Sequence, residues 1–160
     1  MGFYDLRVVN PRIMDYKSDM EAVALATSSV DVLNAAKTHM TLEDALEGVT
    51  LACALSGYSR EFGPPIENVH ESVKRAALRL EDVAGGDIAF VFGTERSGLT
   101  NEQMALCQFC SAIAANPESP SLNLAQAVQI TAYEMHTALL ADTHHDGELY
   151  SWQSRCESDR

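Results

Sequence analysis

The sequence predicts one α/β domain with a mostly parallel sheet flanked by helices. Two segments, Val49 to Leu55 and Asp87 to Phe92, are apolar on both faces of a strand, which is typical of the interior of a parallel sheet. Segments with apolar residues at helical spacing lie between these strands, and this alternation favours helical crossover connections. At 160 residues the chain has the size of a single domain with one core.

The first half of the chain contains recognisable start and stop signals. A β-branched strand is predicted from Asp5 to Asn10, where an Asn-Pro turn ends it. A helix is predicted over residues 18 to 27, with Ser18 as its N-cap, and a short helix begins after Thr41. An irregular stretch over 56 to 68, rich in Gly, Pro and Ser, follows the first buried strand.

The second half repeats the alternation. Apolar spacing predicts a helix from Val69 to Val83. Thr100 opens a capping-box pattern that starts a short helix, and Phe109 to Ala115 is the next predicted strand. The strongest helical pattern runs from Leu122 to Ala141, and Ser121 is predicted to cap it. We therefore expect a domain over residues 1–141 and a polar tail over 142–160.

Charge and hydropathy limit the classes of partner. The net charge of −12 argues against general affinity for nucleic acid, which depends on Lys and Arg neutralising phosphates. A polyanion would have to be held by a few local arginines. No run approaches the roughly 18 apolar residues that span a bilayer, and no secretion signal follows Met1. A cytoplasmic location without a membrane partner is therefore expected.

Cysteine and histidine groups are interpreted as structural or solvated, and no metal site is predicted. Cys107 and Cys110 have the spacing of half a zinc site, but no second pair is present, whereas structural zinc takes four ligands. Together with Cys53 they lie in or beside apolar segments, so buried, reduced thiols are expected. The run His144 to Asp146 falls in the polar tail and is interpreted as solvated.

Three loops follow strands that should end at one edge of the sheet, where ligands of parallel α/β sheets bind. These loops are Ser56 to Arg60, Gly93 to Leu99 and Asn116 to Ser121. Glycines at positions 57, 93 and 98 have two interpretations. They could simply make tight turns, or they could let a ligand lie against the backbone.

The polar side chains of these loops leave alternatives open as well. Glu95 and Arg96 could form an exposed ion pair of little consequence. In a ligand crevice the carboxylate could instead hold an amine or a substrate hydroxyl, and the guanidinium would suit phosphate. The third loop could be a rigid turn with Ser121 as the helix cap, which is compatible with a ligand role. No GxGxxG, GxxxxGK[ST] or GxSxG pattern is present, so neither a phosphate cradle nor a hydrolase is supported.

Two segments carry a resemblance to a known family. FGTERSGLTNEQ (92–103) and NPESPSLNLAQAVQITAYEM (116–135) resemble the second and third motifs of the SPOUT methyltransferases. They are closer still to the SpoU/TrmH branch, which methylates ribose 2'-hydroxyls of RNA. Within that branch, MGFYDLRVVNPR, VDVLNAAKTHMTLEDAL and LSGYSREFGPP resemble consecutive parts of the TrmJ-type tRNA enzymes. The resemblance covers nearly all of residues 1–141.

The resemblance implies a fold, a cofactor and a set of site residues. Members fold as an α/β domain with a deep C-terminal trefoil knot, a rare exception to unknotted connections, bind S-adenosylmethionine there and form homodimers. The cofactor contacts carried over are Leu55, Ser56, Gly57, Gly93, Ile113, Pro120, Ser121 and Leu122. The catalytic end would include Glu95, Ser121 and Asn123, whereas Arg96 and Arg60 would lie where a tRNA or rRNA substrate approaches.

The start of the chain departs from the family pattern. Relatives begin with a strand and a helix that carry a first motif, including an Asn and an Arg credited with activating the ribose hydroxyl. Met1-Gly2-Phe3 matches the end of that helix, so about 25 to 30 residues of the pattern are missing, by average element lengths. The true start could lie upstream, or the chain could be a shortened form.

Three functional interpretations follow from the sequence. The first is an RNA ribose 2'-O-methyltransferase. The second is a catalytically incomplete dimer module that binds the cofactor or RNA. The third is an unrelated Rossmann-type nucleotide binder, which the pairing of the two motif segments disfavours.

Overall fold

A computed structural model describes residues 2–57, 64–81, 86–116, 118 and 121–143. Its strands are β1 (Arg7–Val9), β2 (Lys37–His39), β3 (Val49–Leu55), β4 (Ile66–Asn68), β5 (Asp87–Val91) and β6 (Phe109–Ala112). Its helices are α1 (Met20–Ala26), α2 (Val30–Ala35), α3 (Leu42–Ala45), α4 (Val69–Glu81), α5 (Asn101–Ala105) and α6 (Leu124–Thr143).

The strands form two parallel sheets. Four of them pair in the order β4-β6-β3-β5, and every neighbouring pair is parallel. β1 and β2 form a separate parallel pair. The predicted mostly parallel α/β architecture is confirmed, and the two strands predicted from continuous apolar runs, β3 and β5, are neighbours. No helix among the described residues has the length and hydropathy that a membrane crossing requires.

Helices cover both faces of the four-stranded sheet. On one face α4 and α6 meet in a buried group that we name the α4–α6 cluster: Val69, Val73, Ala76, Ala77 and Met135. Ile88 and Phe90 of β5 pack against this cluster, whereas their neighbours Ala89 and Val91 belong to a second core with α3 and α5. This alternation is the two-residue period of a strand buried on both faces.

Local signals located two helix starts correctly and missed a third by one residue. The Thr41 side chain accepts the N–H of Asp44, and Thr100 forms the predicted capping box with Gln103. Helix α1 is capped by Asp19 and not by Ser18, because the Asp19 carboxylate accepts two N–H groups of the first turn. A carboxylate there also interacts favourably with the helix dipole.

Several element boundaries also differ from the prediction. The stretch 56–68 was predicted to be irregular throughout, but it ends in β4. β4 has only three residues and pairs with β6, which is far away in the sequence. No local sequence pattern therefore predicts this strand. β6 ends at Ala112, where its ladders to β3 and β4 stop, and not at Ala115. β2, with the sequence KTH, was missed because it is polar.

An ion-pair network joins β1 to α3 and β5. The Arg7 guanidinium donates to the Asp5 carboxylate at 2.8 and 3.1 Å, to the Asp87 carboxylate at 3.3 Å and to the Ala45 carbonyl at 2.7 Å. Its side chain is 19% exposed, so these hydrogen bonds are partly shielded from water. We expect the network to contribute to stability, because a charged donor shared by several acceptors is hard to replace.

Replacing Arg7 with Met tests the network. Arg7→Met keeps much of the aliphatic stem but removes the donors, and we expect it to lower the free energy of unfolding by about 1–2 kcal/mol. Urea denaturation measures the difference. Arg12→Met is the matched control, because Arg12 is exposed, and it should change the free energy by less than about 0.5 kcal/mol. Equal effects of the two substitutions would contradict the prediction.

Asp5 makes part of this stability pH-dependent. Hydrogen bonds from Arg7 and then from Lys37 lower the pKa of Asp5 below its ordinary value of 3.8. A carboxyl whose pKa is lower in the folded state stabilises the fold above its unfolded pKa, and this contribution disappears as the pH falls through the folded pKa. The stability difference between the native protein and Asp5→Asn should therefore be constant near neutral pH and shrink as the pH falls below the ordinary value of 3.8. Urea titrations across this range measure it, and the trend should be much weaker in an Arg7→Met background.

Candidate functional site

The predicted site lies at one edge of the four-stranded sheet. β6, β3 and β5 are adjacent and parallel, so their carboxyl ends lie side by side. We name this the carboxyl edge. Ser56, the first residue after β3, donates its N–H to the carbonyl of Ser111 in β6 at 2.9 Å. The described starts of all three predicted loops therefore lie at the same edge.

The loop after β5 closes on itself. Thr94 and Gly98 form an antiparallel bridge, in which each N–H donates to the other carbonyl, at 3.3 and 2.8 Å. The hydroxyls of Thr94 and Ser97 lie 2.8 Å apart, and Thr94 Oγ1 accepts the N–H of Ser97 at 3.3 Å. Glu95 and Arg96 therefore stand at the exposed tip of a closed turn.

The two glycine positions of this turn favour glycine for different structural reasons. A Cβ atom on Gly93 would collide with the backbone of Gly98 and Leu99. Gly98 has a φ of +67° and open space around it, so its conformation, not its contacts, favours glycine. Both glycines therefore suit a tight turn, because the space beside Gly93 is filled by the returning chain.

Asn123 links the third loop to the second. Its Oδ1 accepts the N–H groups of Ala125 at 3.0 Å and Gln126 at 3.4 Å, so Asn123 caps helix α6. Its Nδ2 donates to Glu95 Oε1 at 2.8 Å. Ser121 was predicted as the cap, and this prediction is wrong, because α6 begins at Leu124 and the residue directly before a helix supplies the cap. One amide side chain therefore starts a helix and holds a carboxylate.

Glu95 and Arg96 do not form an ion pair with each other in the described part of the chain. The interpretation as an exposed ion pair is therefore wrong. Glu95 has the amide of Asn123 as its partner instead, whereas Arg96 is exposed at the tip of the turn.

The other predicted site residues take different positions. Four of them are half-buried: Leu55, Ser56, Ile113 and Leu122. Two are exposed: Gly57 and Ser121. Ile113 also packs against the α4–α6 cluster. Arg60 and Pro120 lie outside the described residues.

A groove of about 500 Å³ lies beside the Glu95–Asn123 contact. We name it the α6 groove, and its lining residues are Glu95, Asn123, Leu124, Ala125, Val128 and Gln129. The last four were not predicted as site residues. Helical spacing could have indicated some of these residues, because residues three and four apart share one face of a helix.

The described cysteines are buried thiols. Burial raises the pKa of Cys107 to about 11 and raises the pKa of Cys53 still further. Both are therefore protonated at neutral pH, when they are poor metal ligands and nucleophiles. Within the described ranges no three His, Cys, Asp or Glu side chains come together as a metal-binding group. The His144–Asp146 run lies outside those ranges.

Sequence comparisons match most of the chain to one family. The profile of the SpoU rRNA Methylase family matches residues 1–133. The tRNA (cytidine/uridine-2'-O-)-methyltransferase TrmJ of Escherichia coli K12 is 43% identical over 148 residues, which are 92% of this chain and 57% of that protein. The chain therefore spans little more than half the length of this curated relative.

Solved structures give the same grouping. A probable methyltransferase from Bordetella pertussis Tohama I superimposes with a TM-score of 0.81 at 48% identity, covering 86% of this chain and 81% of that one. TrmJ from Z. mobilis ZM4 superimposes with a TM-score of 0.75 at 30% identity, covering 84% of this chain and 57% of that one.

Proposed function

This chain belongs to the SpoU rRNA Methylase family, and from that membership we propose that it is an S-adenosylmethionine-dependent RNA ribose 2'-O-methyltransferase. We propose tRNA as the substrate class, because the relative that is 43% identical is named as a tRNA 2'-O-methyltransferase. The observation that carries the proposal is the 2.8 Å contact between Asn123 and Glu95. It joins the loops of the two motif segments at the carboxyl edge.

The carboxyl edge has a chemistry that suits S-adenosylmethionine. When bound, this cofactor would supply a methyl group from its sulfonium to the ribose oxygen, leaving S-adenosylhomocysteine and a hydroxyl proton that passes to water. The cofactor carries positive charge, which favours the acidic Glu95. Exposed backbone groups after parallel strands can hold its uncharged parts. We propose these residues as its contacts: Leu55, Ser56, Gly57, Gly93, Ile113, Pro120, Ser121 and Leu122.

Glu95 is the residue that we propose to orient the ribose. One of its carboxylate oxygens is held by Asn123, so the other can accept a hydrogen bond from a hydroxyl. A fixed acceptor restricts the direction from which the ribose oxygen reaches the methyl group, and correct orientation supplies much of the rate in such transfers. Arg96, exposed on the same turn, is proposed to contact an RNA phosphate, and Arg60 is proposed for the same role.

Family membership also supports three proposals about the whole assembly. We propose that residues 1–141 form the methyltransferase domain with a C-terminal trefoil knot, that 142–160 form a polar tail, and that the protein is a homodimer. Exposed apolar side chains near the beginning of the chain, including Tyr4, Met14 and Met20, suit burial against a second copy.

Calorimetry and methyl transfer test the proposal. S-adenosylhomocysteine should release or absorb heat on binding the native protein, and Gly93→Val should abolish it. With S-adenosylmethionine that carries a labelled methyl group, an unmodified tRNA transcript should gain labelled 2'-O-methyl nucleosides. Mass spectrometry after digestion of the RNA identifies them. Absence of cofactor binding by the native dimer would overturn the proposal. Cofactor binding without transfer would instead support a binding module.

A further inference from the structure

We propose that a groove along α4 binds the phosphate backbone of the RNA substrate, away from the nucleotide that is methylated. This inference rests on the proposed function, because it gives the same substrate a second contact. The groove has a volume of about 940 Å³, and we name it the α4 groove. Its charged lining residues are Glu67, Glu71, Lys74, Arg75 and Arg79, and two leucines complete it.

The α4 groove lies towards the edge of the sheet that is opposite to the carboxyl edge. Helix α4 starts directly after β4, which ends at the carboxyl edge, and leads to β5, which starts at the opposite edge. Its 13 residues extend over about 20 Å. Each strand of a nucleic acid duplex carries a phosphate about every 3.4 Å. An RNA that places one nucleotide at the carboxyl edge is therefore long enough to pass the groove as well.

Cations are concentrated on this stretch of α4. The whole chain has 11 Lys and Arg residues and a net charge of −12, yet residues 72–80 contain three of these cations and no acid. Lys74, Arg75 and Arg79 line the groove, whereas Ala76 and Ala77 between them are buried in the α4–α6 cluster. An acidic protein repels RNA over most of its surface, so RNA is expected to bind where cations gather.

The acids of the groove orient two of the cations without covering them. Lys74 Nζ donates to Glu71 Oε1 at 3.1 Å. Arg75 donates to the Glu67 carboxylate, and its guanidinium lies over the Phe109 ring, 4.9 Å from the ring centroid. The side chains of Lys74 and Arg75 remain 51% and 52% exposed. An ammonium has three donors and a guanidinium has five, so each can donate to a phosphate and keep its acid.

A nucleic acid fits the groove better than a protein partner does. Five of its seven lining residues are charged, whereas the centres of protein interfaces are depleted in charged residues. Exposed ion pairs are worth little, so a phosphate that replaces one of the acids meets a small penalty. The planar guanidinium also matches a phosphate with two parallel hydrogen bonds. We therefore assign the groove to RNA phosphates and not to a second copy of the chain.

The salt dependence of RNA binding tests the inference. The double variant Lys74→Gln/Arg79→Gln neutralises two cations of the groove. Fluorescence anisotropy gives the Kd for an unmodified tRNA transcript over a series of KCl concentrations, with S-adenosylhomocysteine present. We expect the Kd to rise about three- to tenfold and the slope of log Kd against log[KCl] to fall by about 1 to 2, because each phosphate contact contributes about 0.7 to 0.9 to it.

Two further variants serve as controls. Arg12→Gln removes an exposed cation elsewhere and should leave both the Kd and the slope unchanged. Glu71→Gln removes an acid from the groove, and we expect it to lower the Kd about twofold, since the phosphate then meets less repulsion. A groove that only stabilised α4 would not bind RNA more tightly after this change.

Lys74→Gln alone keeps the test decisive if the double variant does not fold, because Lys74 is exposed. Three results would overturn the inference: an unchanged Kd and slope in the folded variants, no tRNA binding by the native protein, or a change of molar mass in light scattering without a change in tRNA affinity. The last result would assign the groove to a second copy of the chain. Failure of the proposed function is seen separately, as absence of cofactor binding and methyl transfer in the native protein.

Discussion

Replacing Asn123 is expected to damage stability and activity through two separable contacts. Asn123→Ala removes the cap of α6, which lowers the free energy of unfolding by about 1 kcal/mol. It also removes the donor to Glu95, so the carboxylate loses its fixed orientation. We expect methyl transfer to fall about 100-fold, the effect of misplacing a group by about 1 Å. Urea denaturation and single-turnover methyl transfer measure the two effects.

Asn123→Asp separates the two roles. Aspartate is as good a helix cap as asparagine, so the start of α6 should be retained. The new carboxylate cannot donate and would face Glu95 across the 2.8 Å contact, where two like charges repel. We therefore expect the Asp variant to lose activity as severely as the Ala variant while its cap remains. Full activity of Asn123→Asp would show that the contact does not position Glu95.

Ser121→Ala completes this comparison. Since Asn123 and not Ser121 accepts the N–H groups of the first turn, Ser121→Ala should leave the free energy of unfolding within about 0.5 kcal/mol. A loss of stability as large as that of Asn123→Ala would show that Ser121 caps the helix.

The second large effect is expected at Gly93. Gly93→Ala places a methyl group against the backbone of Gly98 and Leu99, and neither can move without opening the Thr94–Gly98 bridge. We expect a loss of about 3 kcal/mol in the free energy of unfolding, together with loss of S-adenosylhomocysteine binding. Chemical denaturation and calorimetry measure these effects.

Gly98→Ala is the matched control for that prediction. Its Cβ would meet nothing within 4 Å, and the penalty comes only from the φ of +67°. Such strain amounts to about 1 kcal/mol. Equal losses for the two alanine variants would contradict the steric explanation of Gly93.

The parts of the fold that the sequence predicted are those with local or two-sided signals. β3 and β5 were recognisable because each is apolar on both faces, and the starts of α3 and α5 because Thr41 and Thr100 lie three residues before their N–H partners. β4 could not be predicted, because three residues carry too little pattern and its partner β6 lies in another part of the chain.

In the candidate site, too, local signals were predictable and long-range contacts were not. Strand ends and glycines placed the loops at the carboxyl edge, but Ser121 and Asn123 are both good caps, and only the packed position of α6 decides between them. The Glu95–Asn123 contact spans 28 positions of sequence and depends on the order of β6, β3 and β5. The family resemblance named both residues, whereas residue spacing gave no sign that they touch.

The double use of the Asn123 amide has an evolutionary consequence. Both of its polar ends are occupied, one by the backbone of α6 and one by Glu95. A lineage that exchanges this amide for a carboxylate, which cannot donate, therefore changes the neighbouring acid at the same time, for instance to glutamine. In an alignment of relatives, positions 95 and 123 should vary as a pair, and the allowed pairs should be those in which one side donates and the other accepts.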